Sequence, residues 1–301
     1  MTKPARFGRR ATADHVLAGI DLTGKRMLVT GCSSGIGFET MNAFAANGAT
    51  VIGLAKTIDT ASRACSQAGP ACIPMACDLA NWDSIAGAIR SIHGLSVPFD
   101  AVVANAAVAH LPSLSTRYGL EMQFLTNHVG HFMLVNGLID LVRDGSGRIV
   151  IVSSAAGIDS APREGIMFDN LDGSRFYEAA AFYAQSKLAN ALYAKELSRR
   201  LANRGIAVNS VDPGAARTPL NKGFFARLLA RTPAQAAATQ ALLAASPQAA
   251  GVSGEYWSNC RASQGSALLE DSMLARRLWD VTQAALDRRQ PPSSDSLQHA
   301  A

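Results

Sequence analysis

The feature that most restricts the fold is a rhythm of short apolar runs separated by longer amphipathic stretches. The runs are "KRMLVTG" (25–31), "ATVIGLA" (49–55), "ACIPMAC" (71–77), "FDAVVAN" (99–105), "GRIVIVSS" (147–154) and "GIAVNSV" (205–211). Each is rich in Val, Ile, Leu or Ala and ends on a polar or glycine residue, as a strand buried on both faces does. Between them lie helical patterns such as "ANWDSIAGAIRSIHG" (80–94), "YGLEMQFLTNHVGHFMLVNGLIDLVRD" (118–144) and "AAFYAQSKLANALYAKEL" (180–197). Buried strands alternating with helices predict an α/β fold, doubly wound, with a central parallel sheet of about seven strands and helices on both faces.

No shift in composition divides the chain, so one domain is expected over residues 23–287, after a polar N-terminal arm at 1–22. Two segments break the rhythm, an insertion at 155–179 and a loop and helix at 213–232. The polar residues 288–301 are expected to be disordered.

Composition excludes several functions. With 48% hydrophobic and 17% charged residues, the chain can build a large core. A net charge of +5 is modest, several arginines fall near the two ends, and no basic stripe with interleaved aromatics exists, so nucleic acid is not an expected partner. No apolar stretch approaches the ~20 residues of a membrane span. The N-terminus carries Arg without an apolar run, which is not the pattern of a signal peptide. The five cysteines show no C-x-x-C pair and read as reduced, buried thiols of a soluble cytoplasmic protein. His128 and His131 lack a carboxylate or Cys at useful spacing, so a structural role is expected and no metal site.

At the first strand–helix junction stands "LVTGCSSGIGFE", with Gly31, Gly35 and Gly37. Glycines there permit a tight turn, bring backbone N–H groups to a pyrophosphate, and let helix and strand pack closely. This predicts a dinucleotide cofactor. The second strand ends on Ala55 and Lys56, where a carboxylate would favour NAD by binding the ribose 2′-hydroxyl. Lys56 would attract a 2′-phosphate instead, so NADP(H) is preferred, with NAD the alternative. Asp78, after the third strand, either accepts from the adenine amine with Leu79 flanking the ring or caps the next helix, a role open to Asn81 as well.

Tyr183 and Lys187 are four residues apart on a predicted helix and so share a face. A cation beside a phenol is expected to draw the phenol's pKa, ordinarily near ~10, toward neutrality. The tyrosine then exchanges a proton with an alcohol or carbonyl while hydride moves to or from a nicotinamide. Ser153 and Ser154 end the preceding strand, where a hydroxyl could stabilise the reacting oxygen. Asn127 is a polar residue in an apolar helix and could hold a water that relays protons between Lys187 and solvent.

In chain order "TGCSSGIG", "CDL", "NAA", "NHVGHF", "IVIVSS", "YAQSK" and "VDPGAARTPL" resemble the short-chain dehydrogenase/reductase family, over about residues 21–286. The resemblance implies a Rossmann fold and a catalytic tetrad of Asn127, Ser154, Tyr183 and Lys187, the second serine being chosen because relatives place catalysis there. It also implies a cofactor site built from Gly31, Ser33, Ser34, Gly35, Ile36, Gly37, Lys56, Asp78, Leu79, Asn105, Ala106, Ala107, Tyr183, Lys187, Pro213, Gly214 and Thr218. Ala107 departs from the family's usual "NAG", a change expected to be tolerated.

"FDNLDGSRFYEAAAFYAQSKLAN", "GEYWSNC" and "RRLWDVTQAAL" resemble the retinol-dehydrogenase and WW-domain-oxidoreductase-like branch. That likeness implies a lipophilic alcohol or carbonyl substrate, covered by the 155–179 insertion. Phe224, Phe225, Leu228 and Leu229 are expected to form an apolar lid. Relatives are often dimers or tetramers, so a homo-oligomer is a further expectation. Trp257 and Trp279 read as core.

Overall fold

The computed structural model describes residues 7–216 and 230–288. The six apolar runs become β1 (Arg26–Thr30), β2 (Thr50–Ala55), β3 (Cys72–Ala76), β4 (Ala101–Ala104), β7 (Arg148–Val152) and β8 (Ala207–Asp212). Two further strands, β9 (Tyr256–Ser258) and β10 (Arg261–Ser263), complete a sheet in the order β3-β2-β1-β4-β7-β8-β9-β10. Every pairing is parallel except β9–β10, a hairpin that adds an eighth strand to the expected sheet. A separate two-stranded hairpin, β5 (Thr116–Arg117) and β6 (Leu120–Glu121), lies outside it.

Alternate residues of each strand point to opposite faces, and both faces are apolar. Leu28, Val102, Ile149 and Val208 pack with helices α4 (Trp82–Gly94), α6 (Gly130–Asn136), α8 (Ala179–Arg200) and α10 (Ser272–Asp287). Met27, Val29, Val103 and Val150 pack with α1 (Ala13–Leu17), α2 (Gly35–Ala46), α3 (Ile58–Ala68) and α9 (Pro233–Ala245). The arm therefore joins the core, since Ala13, Val16 and Leu17 are buried on α1. Trp257 and Trp279 are partly buried and packed against the two cores.

The helical pattern at 118–144 is not one helix. A short α5 (Met122–Phe124) runs into a π-helical turn at Leu125–Val129, then α6, and a 3₁₀ turn at Ile139–Leu141. The insertion opens with α7 (Ala155–Asp159) and is irregular up to α8. No described helix is long and apolar enough to cross a membrane.

Candidate active site

The strand order reverses between β1 and β4, and ligands of open α/β sheets bind at the carboxyl ends of strands flanking such a point. A crevice of about 660 Å³ lies there. Gly31, Ser33, Ser34, Gly35, Ile36 and Gly37 form one wall. Lys56, Asp78 and Leu79 form another, and Asn105, Ala106 and Ala107 a third.

The glycines are fixed by space as well as by the turn. Gly31 has φ of +71°, and a β-carbon there would lie 2.9 Å from the Ala106 Cα. A β-carbon on Gly37 would collide with the Gly31 carbonyl oxygen. Ser34, at the N-cap of α2, makes no side-chain cap, which leaves the first-turn amides of a twelve-residue helix facing the crevice. That cradle suits a pyrophosphate.

Asn81 caps α4, accepting from the N–H groups of Asp83 and Ser84. Asp78 instead accepts the Ala80 N–H at 3.0 Å and holds the Lys56 ammonium at 3.6 Å. Lys56 is three-quarters exposed. Of the residues expected at the cofactor site, Tyr183, Lys187, Pro213 and Gly214 are not in the crevice wall. The Gly214 N–H donates to Asp212, and the Pro213 carbonyl accepts from Arg231 at 3.3 Å. Thr218, Phe224, Phe225, Leu228 and Leu229 lie outside the described residues.

Ser154, Tyr183 and Lys187 come together where β7 meets α8. Lys187 is buried, and its Nζ donates to the Val152 carbonyl at 3.2 Å while standing 5.8 Å from the centroid of the Tyr183 ring. Burial draws its pKa down to about 8. The Ser154 side chain faces the phenol closely enough to favour the phenolate, whereas the Ser153 hydroxyl donates to the Lys187 carbonyl. The expected acidification of Tyr183 does not occur. Its pKa is raised, first by burial and further by the Asp212 carboxylate, against which Ser154 is the one opposing influence.

Asn127 sits on the π-helical turn, fully buried, and its side chain is committed. Its Oδ1 accepts the Val108 N–H at 2.8 Å, and its Nδ2 donates to the Val108 carbonyl at 2.9 Å and to Ser186 at 3.0 Å. The side chain thus ties the loop after β4 to α8.

Sequence reading missed three residues of this region, Thr30, Asp212 and His110, and expected of His131 only a structural role. Thr30 Oγ1 accepts from the amides of Asn105 and Ala106 at 2.8 and 2.9 Å. With both lone pairs used, its proton goes to His131 Nε2 at 2.8 Å. His131 then donates from Nδ1 to the Asn127 carbonyl at 2.8 Å. The imidazole is neutral, its pKa pushed to about 4 by burial. Asp212 accepts the amides of Ala155 and Gly214 on one oxygen and the Ser258 hydroxyl on the other. His110 stands against Tyr183, with ring centroids 5.1 Å apart. A histidine within four residues of "NAA" was the signal available for the last of these. His128 is fully buried and bonded to Thr282 at 3.0 Å. All five cysteines are free and buried, and the described residues hold no group of three or more His, Cys, Asp or Glu able to bind a metal.

The likeness to known proteins follows the same outline. Residues 25–166 match the short chain dehydrogenase family. The chain is 35% identical to human WW domain-containing oxidoreductase, over 96% of this chain and 75% of that protein. It is 34% identical to mouse retinol dehydrogenase 14, over 86% and 85% of the two chains. A crystal structure of an uncharacterized protein from Mycobacterium Paratuberculosis superposes with a TM-score of 0.75 at 27% identity, covering 90% of this chain and 96% of that one. With its crevice at the β1–β4 reversal and its Tyr183–Lys187 pair on α8, this chain belongs to the short-chain dehydrogenase family, close to the branch that holds those two curated relatives.

Proposed function

We propose that this chain is an NADP(H)-dependent oxidoreductase that interconverts an apolar alcohol with its aldehyde or ketone, with Tyr183 as the proton-transferring group. The observation that carries this reading is the grouping of Ser154, Tyr183 and Lys187 against His110, in a loop whose Val108 and Leu111 line the crevice with the glycine-rich wall. A bound nicotinamide would supply or accept the hydride.

Burial keeps Tyr183 a phenol at neutral pH, so its proton is available to a carbonyl oxygen and reduction is the favoured direction. Ser154 is placed to donate to the same oxygen as charge develops on it. Lys187 spends one N–H on Val152 and keeps two for resupplying Tyr183. Asn127 acts through position, holding the loop after β4 against α8.

The NADP preference rests on Lys56. Its pairing with Asp78 is exposed and long, hence weak, and the ammonium can turn to a 2′-phosphate. Val108, Leu111, Pro112 and Met122 extend the crevice with apolar surface, which supports a lipophilic substrate. The test is consumption of NADPH and NADH across aldehydes, ketones, quinones and steroids. Turnover with NADPH of at least one class is expected. Tight NADPH binding with no turnover of any would make the chain a dinucleotide-binding sensor or scaffold instead.

A further inference from the structure

The loop after β4 is built to hold one side chain in an unfavourable place. His110 has φ of +53°, a left-handed conformation that side chains disfavour. Its N–H donates to Gln123 Oε1 at 2.7 Å. Gln123 is fully buried, and its Nε2 donates to Glu121 at 3.3 Å and to the carbonyl of Ala179, the first residue of α8, at 3.1 Å. On the other side of His110, the Leu111 carbonyl accepts the Tyr177 hydroxyl at 2.7 Å. The loop is thus clamped on both sides of His110, and one clamp runs to the helix that carries Tyr183.

The outcome is an exposed imidazole tilted 40° to the Tyr183 ring. Its ring nitrogens have no hydrogen-bond partner among the described residues. A substrate whose reacting oxygen meets the Tyr183 hydroxyl brings the atoms next to that carbonyl toward this ring. We propose that His110 is a specificity-determining residue that donates a hydrogen bond to an oxygen on the neighbouring carbon, and that the substrate class is a neutral vicinal dicarbonyl. This rests on the reading of Tyr183 as the proton donor.

A 2-oxo acid fits less well. Among the described crevice residues the one cation is Lys56, at the β2 wall, and near His110 the wall offers apolar Val108, Leu111 and Pro112 with neutral Ser113 and Ser115. A carboxylate there would find no cation of the crevice wall to pair with. In the reaction one C=O of the dicarbonyl becomes CH–OH, taking hydride from the reduced nicotinamide dinucleotide and a proton from Tyr183. The second carbonyl stays intact, held by the His110 N–H.

The test compares benzil with deoxybenzoin, which lacks one of the two carbonyls, using NADPH and the full chain. Two variants separate ring from donor. His110→Phe keeps an aromatic ring on Tyr183 without an N–H, and His110→Gln keeps a donor without the ring. In His110→Phe, kcat/KM for benzil should fall about tenfold, mainly through KM, while that for deoxybenzoin stays within about twofold. His110→Gln should retain part of the preference for benzil. Equal losses on both substrates, or an undiminished benzil preference in His110→Phe, overturn the inference and leave the reading of the Tyr183 site standing. If the unaltered chain reduces other carbonyl compounds with NADPH but neither of these two, the inference falls and the reading of Tyr183 stands; if it turns over no carbonyl at all, both fall.

Discussion

The Ser153 hydroxyl donates to the main-chain carbonyl of Lys187 at 2.6 Å, pinning the chain just after β7 to the middle of α8. Two adjacent serines therefore have separate tasks. Ser153→Ala should remove about 1 kcal/mol of stability and lower the melting temperature by several degrees, with kcat little altered. Ser154→Ala should cut kcat by about 10²-fold, and it should lower the melting temperature as well because the side chain caps α7 by accepting the Gly157 N–H at 3.3 Å. Steady-state rates measured beside thermal melts distinguish them, and a reversed pattern of rates would assign the site to Ser153.

Proton supply gives the reaction a pH signature. Lys187 is charged below a pKa of about 8 and loses its proton above it, so carbonyl reduction should decline as pH rises through that value. Tyr183→Phe should abolish turnover, by about 10²-fold or more, while NADPH titration by fluorescence still shows binding. A reduction rate that climbs between pH 8 and 10 would contradict this proton route.

Cofactor choice is open to a charge reversal. Lys56→Glu should raise KM for NADPH about tenfold or more and leave KM for NADH near its starting value. Equal changes for both would mean that Lys56 does not meet the 2′-position.

Acid should weaken the fold early. Burial depresses His128 to about 3 and His131 to about 4, whereas both titrate near 6.5 when unfolded. Below pH 6.5 the unfolded chain gains protons that the folded chain refuses. Stability is therefore complete above that pH and falls by about 1.4 kcal/mol per pH unit per histidine below it, until the folded pKa values are reached. Urea unfolding at pH 7 and pH 5 measures the drop, and equal midpoints would argue against two neutral buried imidazoles.

The parallel sheet was legible because its strands are apolar on both sides, and all six runs became strands in the expected places. The eighth strand was not. Arg261–Ser263 is three exposed residues and carries no apolar pattern. The β5–β6 hairpin is shorter still, and the π-helical turn at Leu125–Val129 is a one-residue change in hydrogen bonding that side-chain periodicity does not record. Among site residues, the glycine loop was readable from spacing alone. The roles of His110 and Asp212 were not, because they depend on contacts with Gln123, 13 residues on from His110, and with Ala155 and Ser258, 57 and 46 residues from Asp212. The direction of the Tyr183 shift was missed for a related reason. A neighbouring cation is visible in a sequence, but the depth at which a phenol is buried is not.

The β9–β10 hairpin has one more effect. Without it, β9 would present its backbone to solvent as the last parallel strand, an open template for a strand from another molecule. The antiparallel turn through Asn259 and Cys260 covers that flank with a stub too short to template another chain. Growth of the sheet from molecule to molecule stops at this end, and any assembly of the protein through this side must use side chains instead of a shared ladder.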